Sequence, residues 1–237
     1  MNTLDIIRLG WPYIGLGGSI VILLLLLFSD TFRSEGTSSK WFDPVWLSWL
    51  IVVAYLLHVC EEYGLHISNG QFDLVTNFEQ MGISERFGGI PHYFFPYVNI
   101  AFTWIALPVA AVICRKNPVI GLSGIGFLVV NGLTHVGPMA AGIMPLAKNA
   151  GFWTGLLVFI PLFCWICYAC AKKHLLPRKG LGIAITSGVI AHILLFSIYI
   201  FNKLLGSSFV AFYVPVVVFS PLWISWILCR IYKITLS

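Results

Sequence analysis

The chain has 237 residues, of which 14 are basic and 9 acidic, giving a net charge of +5. Hydrophobic residues make up 59 %, mean hydropathy is +0.91, and charged residues reach only 10 %, against roughly 25 % in ordinary globular domains. Uncharged runs cover 9–29, 44–60, 87–114, 117–147, 149–171, 180–202 and 204–229. Such a surface cannot be wetted, so a soluble enzyme, a disordered chain and a nucleic-acid binder are excluded, whatever the basic balance suggests. No linker or low-complexity tract divides the chain. The expectation is one integral membrane domain over 1–237, an all-α polytopic bundle of about seven transmembrane helices.

A helix needs about 20 apolar residues to cross a hydrocarbon core of about 30 Å. The first candidate, Leu9–Phe28, has too long an apolar run for a secretory signal, only Arg8 before it and no small-residue cleavage site. It is expected as a retained helix. Pro44–Cys60 follows, opened by Asp43, an N-cap type before a proline at the first helical position. The connection from His66 to Pro91 carries Phe72, Val75, Phe78 and Met81 at spacing three, with Asp73, Asn77 and Glu79 between them. That pattern predicts a short amphipathic helix in the interface, either a lid or a loop floating on lipid. Tyr93–Ile113 is the third span, and Pro118–Met139, opened by Asn117, the fourth. Phe152–Ala171, Leu181–Phe201 and Phe209–Leu228 complete the set. Strand alternation suited to a membrane barrel is lacking.

Basic residues in short loops orient such a bundle. One side holds Arg33, Lys40, Arg115, Lys116, Lys172, Lys173, Arg178, Lys179, Arg230 and Lys233; the other holds Arg8, Arg86, Lys148 and Lys203. The richer side is expected to be cytoplasmic, which places the protein in the cell membrane with its N-terminus outside and its C-terminus inside.

No acidic residue follows Glu85. Glu61 and Glu62 end the second span in the sequence His58-Val59-Cys60-Glu61-Glu62. Helical residues three and four apart share a face, so His58, Glu62 and His66 form one stripe, with Glu61 flanking His58. Both glutamates can be read simply as a helix end in hydrated headgroups. Depth argues for more. At 1.5 Å per residue from the cytoplasmic side, His58 lies about 21 Å up and Glu62 about 27 Å, while Asn131 and His135 of the fourth span lie at about 20 Å and 26 Å. Asn99, descending from outside, lies about 9 Å below the surface, and His192 of the sixth span sits near mid-membrane at about 16 Å. Three spans therefore place His, Glu and Asn in one outer-leaflet layer, where ionisable groups are expensive and mark function.

Two imidazoles and a carboxylate with an open position suit a divalent metal, zinc first, with iron or manganese as alternatives. His58, Glu62 and His135 form the expected ligand set, and His66 or His192 is a further candidate ligand. Asn131 and Asn99 are expected to orient ligands or substrate, and Glu61, with Glu62, to serve proton transfer as the catalytic carboxylates. Without metal the same groups form a His–Glu proton relay.

Other signals read as packing. Cys164, Cys167 and Cys170 lack a fourth ligand and lie in a continuous apolar helix. The glycine runs at 15–18 and 121–126 lack the Lys-Ser or Lys-Thr of a phosphate loop and suit close helix crossing. Lys172, Lys173, Arg178 and Lys179 carry the positive-inside signal, and Trp41, Trp46 and Trp49 fit an aromatic belt.

His58-Val59-Cys60-Glu61-Glu62-Tyr63 resembles the signature of the HXXEE family of small bacterial membrane proteins. The resemblance extends through Asn131-Gly132-Leu133-Thr134-His135, similar to that family's N-x-x-x-H, and through Asn149 to Thr154 and Pro161; it covers roughly 44 to 200. Ala150 stands where the family tends to show proline. The resemblance implies a bacterial multi-pass protein whose His and Glu residues are suspected of metal binding, with no established reaction. Seven-helix intramembrane zinc hydrolases offer an analogy of fold level only, and the histidine pair they carry near the last span is absent from Phe209–Leu228.

Three functions compete. The leading expectation is a metal-dependent, hydrolase-like enzyme acting in the bilayer on a lipid or other hydrophobic molecule. A proton-coupled or cation transporter would need polar groups continuing to the cytoplasmic side, where the sixth span offers only Thr186 and Ser187 and the fourth only Ser123; no inverted repeat is evident. A non-catalytic assembly protein is the third. Oligomeric state is not encoded in any pattern found.

Overall fold

The computed structural model describes residues 3–37, 39–65, 67–68, 71–72 and 94–234. Among them, seven helices are long and apolar enough to cross a membrane: α1 (Thr3–Phe28), α2 (Pro44–Leu65), α3 (Phe94–Ile113), α4 (Pro118–Ala140), α5 (Phe152–Lys173), α6 (Arg178–Leu205) and α7 (Ser207–Ile231). The all-α bundle expected from composition is what forms, and helices of this kind imply a lipid bilayer as their surroundings. Ile67–Ser68 and Gln71–Phe72 pair as a minimal antiparallel hairpin. His66 and residues 73–93, where the interfacial helix was expected, lie outside the described residues.

The proline-led starts form for the reason the sequence suggests. Asp43 caps α2, its carboxylate accepting from the Val45 and Trp46 amides at 2.9 and 3.5 Å, while also holding the Ser34 amide and hydroxyl. Asn117 caps α4 by accepting from the Ile120 amide at 3.1 Å. Prolines also explain two irregular turns. Phe102–Ala106 in α3 and Gly155–Phe159 in α5 widen into π-turns just before Pro108 and Pro161, which lack the N–H of a regular helix. A third π-turn, Cys60–Leu65, ends α2 and contains both glutamates. π-Turns inside helices recur at functional sites.

The helices close a ring in the order α2, α3, α7, α6, α4, α5, and α1 packs on the outside of α2. Burial follows: 78 % of the most apolar window of α2 and 67 % of that of α4 are buried, against at most 44 % for any other helix. Those two helices carry His58, Glu62, Asn131 and His135, so the residues singled out by depth sit on the most enclosed elements. Around them Tyr55, Phe159, Phe94, Ile125 and Leu128 are fully buried. The glycine-rich stretch of α4 does serve close crossing. A Cβ on Gly126 would lie 2.1 Å from the Ile185 carbonyl of α6 and 2.8 Å from Gly188 Cα, and one on Gly121 would meet Cys114. The run in α1 is looser, since a Cβ on Gly17 would meet nothing within 4 Å and one on Gly15 would make only ordinary contact with Leu56 and Trp104.

Candidate metal centre

One turn of α2 places Glu62 over His58, and the facing turn of α4 supplies His135. Glu62 Oε2 lies 3.7 Å from His58 Nε2 and Glu62 Oε1 lies 3.8 Å from His135 Nε2. The three ligand atoms all fall within 4.8 Å of one another. His58, Glu62 and His135 are 0, 5 and 8 % exposed. Donor atoms at about 2.0–2.1 Å from a tetrahedral zinc sit about 3.3–3.4 Å apart, so the group, lying within 4.8 Å and with each imidazole nearest a different Glu62 oxygen, would close up to hold one ion. Among the described residues this is the one group of three or more His, Cys, Asp or Glu side chains close enough to share an ion. The cysteines of α5 form no such group, in line with a packing role.

The hydrogen bonds around the cluster fix which ring nitrogen faces it. Thr154 Oγ1 has a single proton, which it donates to Glu61 Oε2 at 2.6 Å. It therefore accepts from His58 Nδ1, 2.8 Å away, and His58 Nε2 is left with its lone pair. Asn149 donates its amide to the His135 carbonyl at 2.6 Å, which turns its oxygen toward His135 Nδ1 at 3.4 Å. His135 Nδ1 is then the protonated nitrogen, and its Nε2 also presents a lone pair. Two imidazole lone pairs and a carboxylate thus converge in a buried space. Among the described residues, the hydrogen-bond donor that reaches His58 Nε2 is Asn131, whose Nδ2 lies 3.0 Å away. Acceptors gathered this way repel unless a proton or a cation joins them.

Glu61 is placed differently from its neighbour. Its carboxylate accepts from the Trp153 amide at 2.9 Å and from the Thr154 amide and hydroxyl at 2.7 and 2.6 Å. It seals the N-terminus of α5, where a negative charge is favoured by unpaired N–H groups. Both oxygens are engaged, Oε1 by one donor and Oε2 by two, which ties the carboxylate to the first turn of α5. Its connection to the cluster runs through Thr154 to His58, the carboxylate–histidine arrangement that orients metal ligands.

Gly151 makes the approach of the two rings possible. It adopts φ +91°, a left-handed conformation, and a Cβ there would lie 2.6 Å from His58 Cε1 and 2.8 Å from His135 Cε1. The rings pack edge to face with centroids 5.0 Å apart.

A cavity of about 140 Å³ extends from the cluster into the ring of helices, lined by the polar side chains of Glu62, Asn131, Thr134, His135, Lys148 and Asn149 and by aromatic and aliphatic side chains. Asn99 lines it too, its amide donating to the Tyr63 hydroxyl at 2.8 Å and the Phe95 carbonyl at 3.1 Å. His192 lines the same cavity, its ring tilted against Phe127 with centroids 4.4 Å apart, but is not within the ligand group. The structure therefore brings together His58, Glu62, His135 and Asn131, ties in Glu61 through Thr154, and leaves Asn99 and His192 as cavity wall. Sequence reasoning gave no role to Thr154, Asn149, Gly151 or Tyr55. An Asn-x-Gly pair before an apolar run is the visible trace of the first turn of α5; nothing local marks Tyr55.

Residues 49–166 match the model of a protein family of unknown function with HXXEE motif. The matched stretch contains every residue of the cluster and of its supporting hydrogen bonds. No curated protein and no solved structure matches the chain.

Proposed function

We propose that this protein, a member of the HXXEE family, is a membrane metalloenzyme of hydrolase type in which His58, Glu62 and His135 hold a divalent cation. Zinc suits two imidazoles and a carboxylate best, and iron or manganese are the alternatives. The observation that carries the reading is the convergence of three buried acceptors whose outward nitrogens are already committed elsewhere. A cation held by these residues would resolve that repulsion between groups now 3.7 and 3.8 Å apart. Such an ion would supply Lewis acidity, polarising a substrate oxygen.

The chain's own residues do the rest. Thr154 and Asn149 hold the two rings in the tautomers that present Nε2, and Glu61 anchors Thr154. Asn131, which now engages His58 Nε2, gives up that contact when the nitrogen becomes a ligand and is then free to donate to substrate. Glu61 is a positioning residue, and Glu62 is the carboxylate that faces the reacting space. With the base-rich loops read as cytoplasmic, the centre belongs to the outer half of the membrane, and the proposed substrate is a hydrophobic molecule drawn from the bilayer. Metal analysis of the purified chain tests this. Wild type is expected to carry one equivalent of metal, and Glu62→Gln and His135→Ala, while still folded, to lose it. Wild-type protein that takes up no zinc, iron or manganese overturns the reading.

A further inference from the structure

The cavity beside the cluster contains two buried polar atoms that the cluster does not use. Tyr55 is 1 % exposed, and among the described residues its hydroxyl is a buried polar atom without a hydrogen-bond partner. His192 is 5 % exposed, and its Nδ1 is another. Both side chains line the cavity. Leaving a buried hydroxyl unpaired costs about 1–3 kcal/mol, so these groups point to a guest that supplies the missing partner. Phe95, Phe102, Phe127, Phe196, Val217 and Val218 give the space a largely aromatic and aliphatic wall, to which Asn99, Thr134 and Lys148 add polar groups.

Size and charge narrow the guest. A volume of about 140 Å³ is close to that of apolar cavities of about 150 Å³ that take up benzene, so a group of about six to ten heavy atoms fits and a long acyl chain does not. Glu62 and Lys148 both line the space and offer one charge of each sign, so no net charge selects an ionic guest. Tyr55 can donate to an oxygen, and the His192 imidazole can donate or accept.

We propose that this cavity is the chamber for an uncharged, aromatic or short-chain molecule carrying a hydroxyl or carbonyl oxygen, which the Tyr55 hydroxyl receives and orients. The inference deepens the metal-centre reading by naming what the centre acts on. Its test is arranged to stand without the metal.

The full chain in lipid nanodiscs is titrated with 4-fluorobenzyl alcohol and with 4-fluorotoluene, followed by fluorine NMR, both after chelation and with one equivalent of zinc. Wild type is expected to bind the alcohol saturably, about threefold to tenfold tighter than the toluene, as one hydrogen bond implies. Tyr55→Phe removes an oxygen and no packing volume, and is expected to bind the two probes equally. Val218→Trp fills the chamber and is expected to abolish saturable binding of both, with thermal unfolding recorded to confirm its fold. Hexadecanol is expected not to displace the alcohol. The proposal is overturned by absent saturable binding in wild type, by a preference for the alcohol that survives Tyr55→Phe, or by displacement with hexadecanol. A chain that binds the alcohol but takes up no zinc loses the metal reading alone.

Discussion

Gly151→Ala is the smallest change expected to disable the metal centre. The new methyl would start 2.6 Å from His58 Cε1 and 2.8 Å from His135 Cε1, whereas ordinary contact begins at 3.4 Å. Relief requires the rings to move about 0.8 and 0.6 Å, the differences between those distances. Both rings are held from behind by Thr154 and Asn149, so the movement must break a supporting hydrogen bond or open the ligand group. Displacement near 1 Å at a site that needs placement within about 0.5 Å costs about 100-fold in function. The positive φ adds about 1–2 kcal/mol of folding cost for a residue with a side chain. Competition against a chromophoric zinc chelator measures the effect, with Gly137→Ala on α4, where a Cβ would meet nothing within 4 Å, as the control. Zinc affinity is expected to fall about 30- to 100-fold in Gly151→Ala and to stay unchanged in the control. Equal affinity in Gly151→Ala and wild type would refute the placement of the metal between these rings.

Thr154→Val keeps the shape and removes the hydroxyl between His58 and Glu61, and is expected to weaken zinc binding about 10- to 100-fold in the same competition assay. Glu61→Gln leaves one of three donors facing an amide N–H, and is expected to destabilise the fold by about 1–3 kcal/mol in denaturant titrations. Asp43→Ala removes the cap of α2 at the opposite end of the helix from the centre; a loss of about 1 kcal/mol with unchanged metal content is expected. Gly188→Ala would place a Cβ 2.5 Å from Gly126 Cα, and separation of α4 from α6 is expected to lower the thermal midpoint by the equivalent of about 1–3 kcal/mol.

Much of this arrangement was legible in the chain because helical periodicity and rise are local properties. The spacing of four put Glu62 over His58 and Asn131 beside His135, and the rise per residue put both pairs at one depth. Asp43-Pro44 and Asn117-Pro118 announced two helix starts that formed as expected. Adjacency alone does not say where Glu61 turns. Neighbours on a helix point about 100° apart, so Glu62 turns to α4 while Glu61 turns to the first turn of α5. Thr154 and Asn149 gain their roles only through that tertiary contact, and a threonine in an apolar run carries no local mark of it. Tyr55 is equally silent, since a buried tyrosine ordinarily reads as packing until its hydroxyl is seen without a partner.

X-ray absorption at the zinc edge of the loaded, full-length protein tests the central claim most directly. The account predicts a shell of nitrogen and oxygen scatterers at about 2.0–2.1 Å, the multiple-scattering pattern of two imidazoles, and loss of one of them in His135→Ala. A sulfur shell at about 2.3 Å, or a wild-type spectrum without imidazole, would contradict it.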